Sequence, residues 1–201
     1  LTCPYLTNDV GNWFRNQVAA HPEAKLRVAL VHKNIFSGSG HQEDDETPLF
    51  RATMLPIMKE CEIDLVMQGH DHCYEVIGPV NPDTRTPILD AITDREEVPT
   101  NVSMSGYKGG TYLVDDGSLY FIGATCGSKK YYPYTKAQME SYYSAHQVEN
   151  YFDLFTGMFC QPGAPSYTTF SVKDKTITVN SYTSDEEGNS TLFNTFKVVR
   201  E

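Results

Sequence analysis

Two short apolar runs without polar alternation, residues 27–31 and 63–67, stand out along the chain. Such runs are the pattern of strands buried on both faces, as in a parallel sheet. Between them, Thr47 and Pro48 have the chemistry of an N-cap hydroxyl followed by a first-turn proline. The apolar positions Leu49, Met54, Leu55 and Ile57 then recur at helical spacing as far as about Cys61, with a kink expected at Pro56. Upstream, Trp13, Phe14, Gln17 and Val18 place one largely apolar face on a helix over 12–20, which His21-Pro22 ends. Strand, helix, strand predicts a parallel crossover unit, and ligands of such sheets gather beyond the C-terminal strand ends.

Farther along, residues 81–108 are rich in Pro, Asp, Thr and Ser and read as a long surface excursion. Residues 111–114 and 119–124 flank Asp115-Asp116-Gly117-Ser118, a hairpin signature. Helical spacing rich in tyrosine runs over 134–159. The alternating segments 167–172, 176–182 and 192–199, broken by Asp174-Lys175 and by Glu186-Glu187-Gly188-Asn189, predict an antiparallel meander. The expected fold is α/β, part of a two-sheet sandwich flanked by helices, its first strands parallel and its last antiparallel. A single domain over 1–201 is expected, with the crossover unit in 1–80, the excursion in 81–109, and hairpin, helix and meander in 110–201.

With 201 residues, 40% of them hydrophobic, the chain can bury a core of its own, which excludes disorder as a global description. Its 26 acidic against 16 basic side chains leave a charge of −10, so a nucleic acid is not expected as a stable partner. No stretch approaches the roughly 20 apolar residues of a membrane span, and no leader-like pattern opens the chain. It begins with Leu1, which fits either a processed product or a piece of something longer. Five cysteines, Cys3, Cys61, Cys73, Cys126 and Cys160, form no C-x-x-C and leave the redox compartment open.

Chemistry concentrates at the ends of the two apolar runs. His32 closes the first, and Gly69-His70-Asp71-His72 follows the second. Neutral imidazoles two apart in a tight turn can point at one locus and ligate zinc, iron or manganese. The pair alone is equally compatible with an ordinary loop, but His32 at the neighbouring strand end would bring three imidazoles to one sheet edge. His21 and His146 read as surface residues. The acidic run 43–46 reads as a solvated face, because it lacks the ligand spacing and glycine of a calcium loop. Cys61 and Cys73 flank the histidine region and read as small buried hydrophobes. Lys129, Lys130, Tyr131, Tyr132 and Tyr134 could stack on a nucleotide, with packing the simpler reading.

Gly69-His70-Asp71-His72-Cys73-Tyr74-Glu75, preceded by Asp64-Leu65-Val66, resembles the G-H-x-H signature of the calcineurin-like metallophosphoesterases, in particular their purple acid phosphatase-like branch. Residues 27–32 followed by Lys33-Asn34-Ile35-Phe36-Ser37 resemble the strand of that family that ends in a metal-binding histidine. Trp13, Gly110-Thr111-Tyr112, residues 123–131 and the terminal meander fit as well. The resemblance implies a metal-dependent phosphoester hydrolase with a binuclear centre of Fe, Zn or Mn, whose ions activate the attacking hydroxide. His32 and His70 would hold one metal and His72 the other. His41, nine residues after His32, would face the substrate and assist departure of the leaving group. The branch is often exported, although nothing in these residues decides localisation.

The family's N-terminal motifs, which carry the bridging aspartate and the remaining carboxylate and amide ligands, have no counterpart; Gly11-Asn12 runs into Trp13-Phe14, and Asn34 and Val76 replace a usual proline and arginine. The chain therefore resembles the C-terminal half of such an enzyme. It is expected to bind at most one metal, weakly, and to be inactive or nearly so by itself. The alternative is a non-catalytic binding or structural module on a degenerate form of the fold. Removing half of a sandwich leaves sheet edges open, so a homo-oligomer is expected.

Overall fold

The computed structural model describes residues 8–99, 104–146 and 149–201. Its three helices are α1 (Asn8–Ala20), α2 (Thr47–Glu60) and α3 (Lys136–His146). The strands are β1 (Val28–Leu30), β2 (Leu65–Gln68), β3 (Tyr74–Val80), β4 (Ile92–Glu97), β5 (Met104–Ser105), β6 (Tyr107–Leu113), β7 (Ser118–Gly123), β8 (Phe159–Cys160), β9 (Ser166–Lys173), β10 (Thr176–Ser184) and β11 (Ser190–Val199). They form two mixed sheets, ordered β1-β2-β7-β3-β8-β5 and β4-β6-β11-β10-β9. In the first, β1, β2 and β7 are parallel and β3 runs antiparallel to β7. In the second, β9, β10 and β11 are the expected meander, and β6 joins β11 in parallel.

Alternation along the central strands builds two cores. Leu65, Tyr74, Val76, Leu119 and Phe121 point from the first sheet onto Tyr112, Ile177, Val179, Phe196 and Val198 of the second. Val66, Ile77 and Tyr120 point the other way, onto Phe50, Met54, Leu55 and Met58 of α2 and Met139 and Tyr143 of α3. This two-sheet sandwich with outer helices is the α/β architecture expected. The order of layers follows from the period of two, because adjacent residues of a strand face opposite cores.

Several local expectations are corrected. β1 is an edge strand, buried only at Ala29, and Val28 and Leu30 are 41% and 74% exposed. A continuous apolar run reads alike for a central strand and for an edge whose second face is uncovered. Exposed Trp13 and Leu30, with Phe14, Phe50 and Met54, wall an open apolar cleft of about 570 Å³ beside this edge. The presumed hairpin around Asp115 to Ser118 does not form: β6 lies in the second sheet and β7 in the first. The turn carries the chain from one layer to the other, with the Val114 N–H on Val199 O. Turn chemistry is local and does not specify whether the flanking strands pair.

Within the supposed excursion, β4 pairs antiparallel with β6, and residues 100–103 lie outside the described ones. Helical structure among the described residues of 134–159 is α3 and a 3₁₀ turn over Phe152–Leu154, α3 being opened by a reciprocal cap in which Gln138 N–H donates to Thr135 Oγ1 and Thr135 N–H to Gln138 Oε1. Phe159 and Cys160 form a strand instead, and residues 147–148, like Cys3, fall outside the described set. At the start of α2, Glu46 rather than Thr47 is the N-cap, and the helix runs unbroken through Pro56. The Thr47 hydroxyl is used elsewhere, donating to His41 O at 3.0 Å. No helix among the described residues is long and apolar enough to cross a membrane.

Candidate metal centre

The parallel strands β1 and β2 end side by side, and the two following segments stay in contact: Val31 N–H bonds Met67 O at 2.9 Å and Gly69 N–H bonds His32 O at 3.1 Å. Gly69 permits this approach, since a Cβ there would lie 3.3 Å from His32 O and 3.4 Å from His32 Nδ1. His70 then takes a left-handed backbone conformation, φ 73°. For a non-glycine residue that conformation costs on the order of 1–3 kcal/mol and persists where the surroundings over-determine it.

The loop after β1 carries His41 and is built as core. Ile35 and Phe36 are fully buried, and burial of such side chains contributes about 1.5–3 kcal/mol each. Gln68 at the end of β2 serves both residues, accepting from Ile35 N at 2.6 Å and Phe36 N at 3.1 Å and donating to Phe36 O at 3.0 Å. Arg51 of α2 donates to Ile35 O at 2.7 Å and stacks 4.2 Å from the Tyr151 ring. Tyr151 in turn donates to Ser37 O at 2.9 Å. Beneath the loop lies a buried carboxylate pair, Asp71 and Glu75. Asp71 accepts from the Ser37 hydroxyl and, at 3.2 Å, from His41 N. Glu75 accepts from Gly38 N at 3.1 Å and Cys73 Sγ at 2.8 Å. Burial, with Asp71 beside it, pushes the Glu75 carboxyl up to about 8, and burial also raises the Cys73 thiol.

These supports bring the four predicted histidines to one end of the first sheet. His32 and His70 lie edge to face with centroids 5.2 Å apart, and His70 stacks on His41 at 3.7 Å. Tyr131 completes the row, its ring 5.2 Å from His41 and 5.1 Å from His72. His72 thus joins the others through Tyr131, and its Nδ1 meets Lys129 O at 2.9 Å. A backbone carbonyl on one ring nitrogen fixes the tautomer and leaves Nε2 as a lone-pair donor, the usual support of a metal-ligating histidine. Burial, together with His41, His32 and Lys33, lowers the pKa of His70 and favours the neutral ring that a metal needs.

Asp44 is the residue that sequence reasoning missed. The run 43–46 is not simply a solvated face: Asp44 Oδ2 lies 3.1 Å from His41 Nδ1 and 3.7 Å from His70 Nε2. Glu46 pairs with Lys33 at 2.9 Å. The only available signal was the spacing, three residues after His41, which a 3₁₀ turn over Gly40–Glu43 brings onto the same side. Among the described residues, His41, Asp44 and His70 are the group whose donor atoms come within 4.8 Å of one another. Imidazole and carboxylate donors suit zinc, iron or manganese, so the residues fit one such ion. They are too few for two, whose shells need about four to six donors each.

No protein-family model matches the chain, and no curated protein matches it in sequence. Among solved structures it is similar to a purple acid phosphatase, PPD1, isolated from seeds of yellow lupin (Lupinus luteus). The TM-score is 0.59 at 14% identity, over 100% of this chain and 30% of that one. The likeness is one of fold, and the chain spans less than a third of the phosphatase it matches.

Proposed function

We propose that this chain is the C-terminal part of a metal-dependent phosphoester hydrolase. The observation that carries the reading is the row His32, His70, His41, Tyr131, His72 at the C-terminal ends of parallel strands, on a fold shared with a purple acid phosphatase. His32 and His70 would hold one ion and His72 a second, the remaining donors coming from segments beyond this chain. Bound there, the ions would polarise the phosphoryl oxygens and activate water.

This chain's own contribution is orientation and proton handling. The Lys129 carbonyl holds His72 in one tautomer. The bonds from Gln68, Arg51 and Asp71 fix the loop that carries His41. In the assembled site His41, between Asp44 and Tyr131, would hold a proton for the departing alkoxide, a form of general acid catalysis worth a factor of about a hundred to ten thousand.

The test is hydrolysis of an aryl phosphate monoester and diester by a protein carrying this chain with the complementary segments. Turnover should vanish with chelator and fall at least about a hundredfold in His72→Ala. Turnover indifferent to both would overturn the metal-dependent reading, and absence of turnover in that protein would leave the non-catalytic module as the reading. The isolated chain should show little or no turnover even when loaded.

A further inference from the structure

The geometry points to a single-ion site in this chain with a different donor set: we propose that His41 Nδ1, Asp44 and His70 Nε2 bind one zinc-like divalent cation, with His32 and His72 outside its shell. The proposal concerns the ion that the chain holds by itself and does not rest on the hydrolase reading. It exchanges His32 for Asp44 and makes His41 a ligand, so it competes with the two-ion arrangement of the assembled site.

Three observations carry it. First, two donors on one tetrahedral ion, each at roughly 2.0–2.1 Å, lie about 3.4 Å apart. The separations from Asp44 Oδ2, 3.1 Å to His41 Nδ1 and 3.7 Å to His70 Nε2, bracket that value before any ion is present. Second, His41 Nδ1 and His70 Nε2 approach the same atom, Asp44 Oδ2, and the three donor atoms lie within 4.8 Å of one another, so a small turn of the stacked rings brings both lone pairs onto one ion. Third, His41 Nε2 lies 3.3 Å from the Tyr131 hydroxyl. An imidazole that donates Nε2–H to an outer partner presents Nδ1 as its lone pair, the arrangement that supports ligating histidines.

Lys33 is the cation that weighs against binding, with Nζ 3.6 Å from Asp44 Oδ2. Its nearer partner is Glu46 at 2.9 Å, which balances that charge locally. Two imidazoles and one carboxylate leave coordination positions for water, the composition of an open site rather than a closed structural one.

The experiment is titration of the full chain with Co²⁺, followed by visible absorption, and with Zn²⁺, followed by the ring-nitrogen resonances of the histidines. One equivalent should bind, with His41 and His70 shifting and His32 and His72 unmoved. Asp44→Asn should weaken Co²⁺ by about tenfold or more, His32→Ala should leave it within about threefold, and Lys33→Met should tighten it. Circular dichroism without metal would establish that each variant is folded, and the resonance shifts in the unaltered chain decide the donor set without any substitution. Shifts at His32 and His70 with His41 unmoved, no saturable binding, or Asp44→Asn binding as tightly as the parent would overturn the proposal. None of these readouts uses turnover, so failure of the hydrolase reading and failure of this one are separately visible.

Discussion

The Asp71 carboxylate accepts the backbone N–H of His41 at 3.2 Å, tying the residue between the two histidines of the G-H-x-H turn to a loop thirty positions earlier in the chain. One buried side chain thus sets the distance between two groups of candidate site residues. In Asp71→Ala the His41 N–H loses its acceptor and the Ser37 hydroxyl keeps only Glu75 Oε1 at 3.3 Å, which should cost about 1–3 kcal/mol in urea unfolding. Gln68→Ala, which frees the backbone of Ile35 and Phe36, should cost a similar amount. A loss below about 0.5 kcal/mol in both would show that the loop is not held as described.

Glu75 predicts a pH dependence. Its carboxyl is raised from an ordinary 4.5 to about 8, first by burial and then by Asp71, against hydrogen bonds from Cys73, Gly38 and Ser37. The folded chain keeps a proton that the unfolded chain releases above 4.5. This contribution to stability is therefore full below that pH, declines as pH rises, and is lost on passing through about 8. One such group gives a slope of at most about 1.4 kcal/mol per pH unit. Glu75→Gln should flatten the stability profile across this window, and a profile as steep as that of the parent would assign the slope to another group.

Stability and site chemistry should trade against each other at His70. Its left-handed backbone, φ 73°, is free to glycine and costly to histidine. His70→Gly should gain about 1 kcal/mol in unfolding free energy while abolishing Zn²⁺ binding in calorimetry. A destabilised variant would mean that the ring contacts with His32 and His41 outweigh the backbone strain.

Neighbouring glycines of the His41 loop should respond in opposite ways. A Cβ on Gly38 would fall 2.2 Å from Phe159 Cζ, inside a buried ring, whereas one on Gly40 meets nothing within 4 Å. Gly38→Ala should lower stability by about 1–3 kcal/mol or more and Gly40→Ala by less than about 0.5 kcal/mol, as thermal unfolding would show. Equal effects would contradict the packing of this loop on β8.

Open apolar surface at β1 predicts association. Val28, Leu30 and Trp13 are exposed beside an uncovered sheet edge, so light scattering should find a dimer or larger species. Leu30→Lys should shift it toward monomer. A parent chain that is monomeric at all concentrations would remove this expectation.

Much of the architecture was legible from the residues. The strands leading to His32 and Gly69, the crossover helix and the terminal meander depend on local periodicity, and periodicity is a property of sequence. So was the convergence of His32, His70 and His72, because consecutive parallel strands bring their C-terminal ends together, whereas His41 was placed with them only by its spacing in the family it resembles. What required the folded chain was everything set by long-range contact. The exposure of β1, the passage of Asp115 to Ser118 between layers, and the strand made by Phe159 and Cys160 depend on which strands pair, and no turn or run encodes its partner. Asp44 and Tyr131 belong with these. An acidic run and a tyrosine cluster look like solvated surface and packing until a 3₁₀ turn and a loop ninety residues away place them against the same imidazole. Sequence by itself determined the kinds of residue available and their local spacing; tertiary structure decided which of them share a donor sphere, because that depends on distances of a few ångströms between segments far apart in the chain.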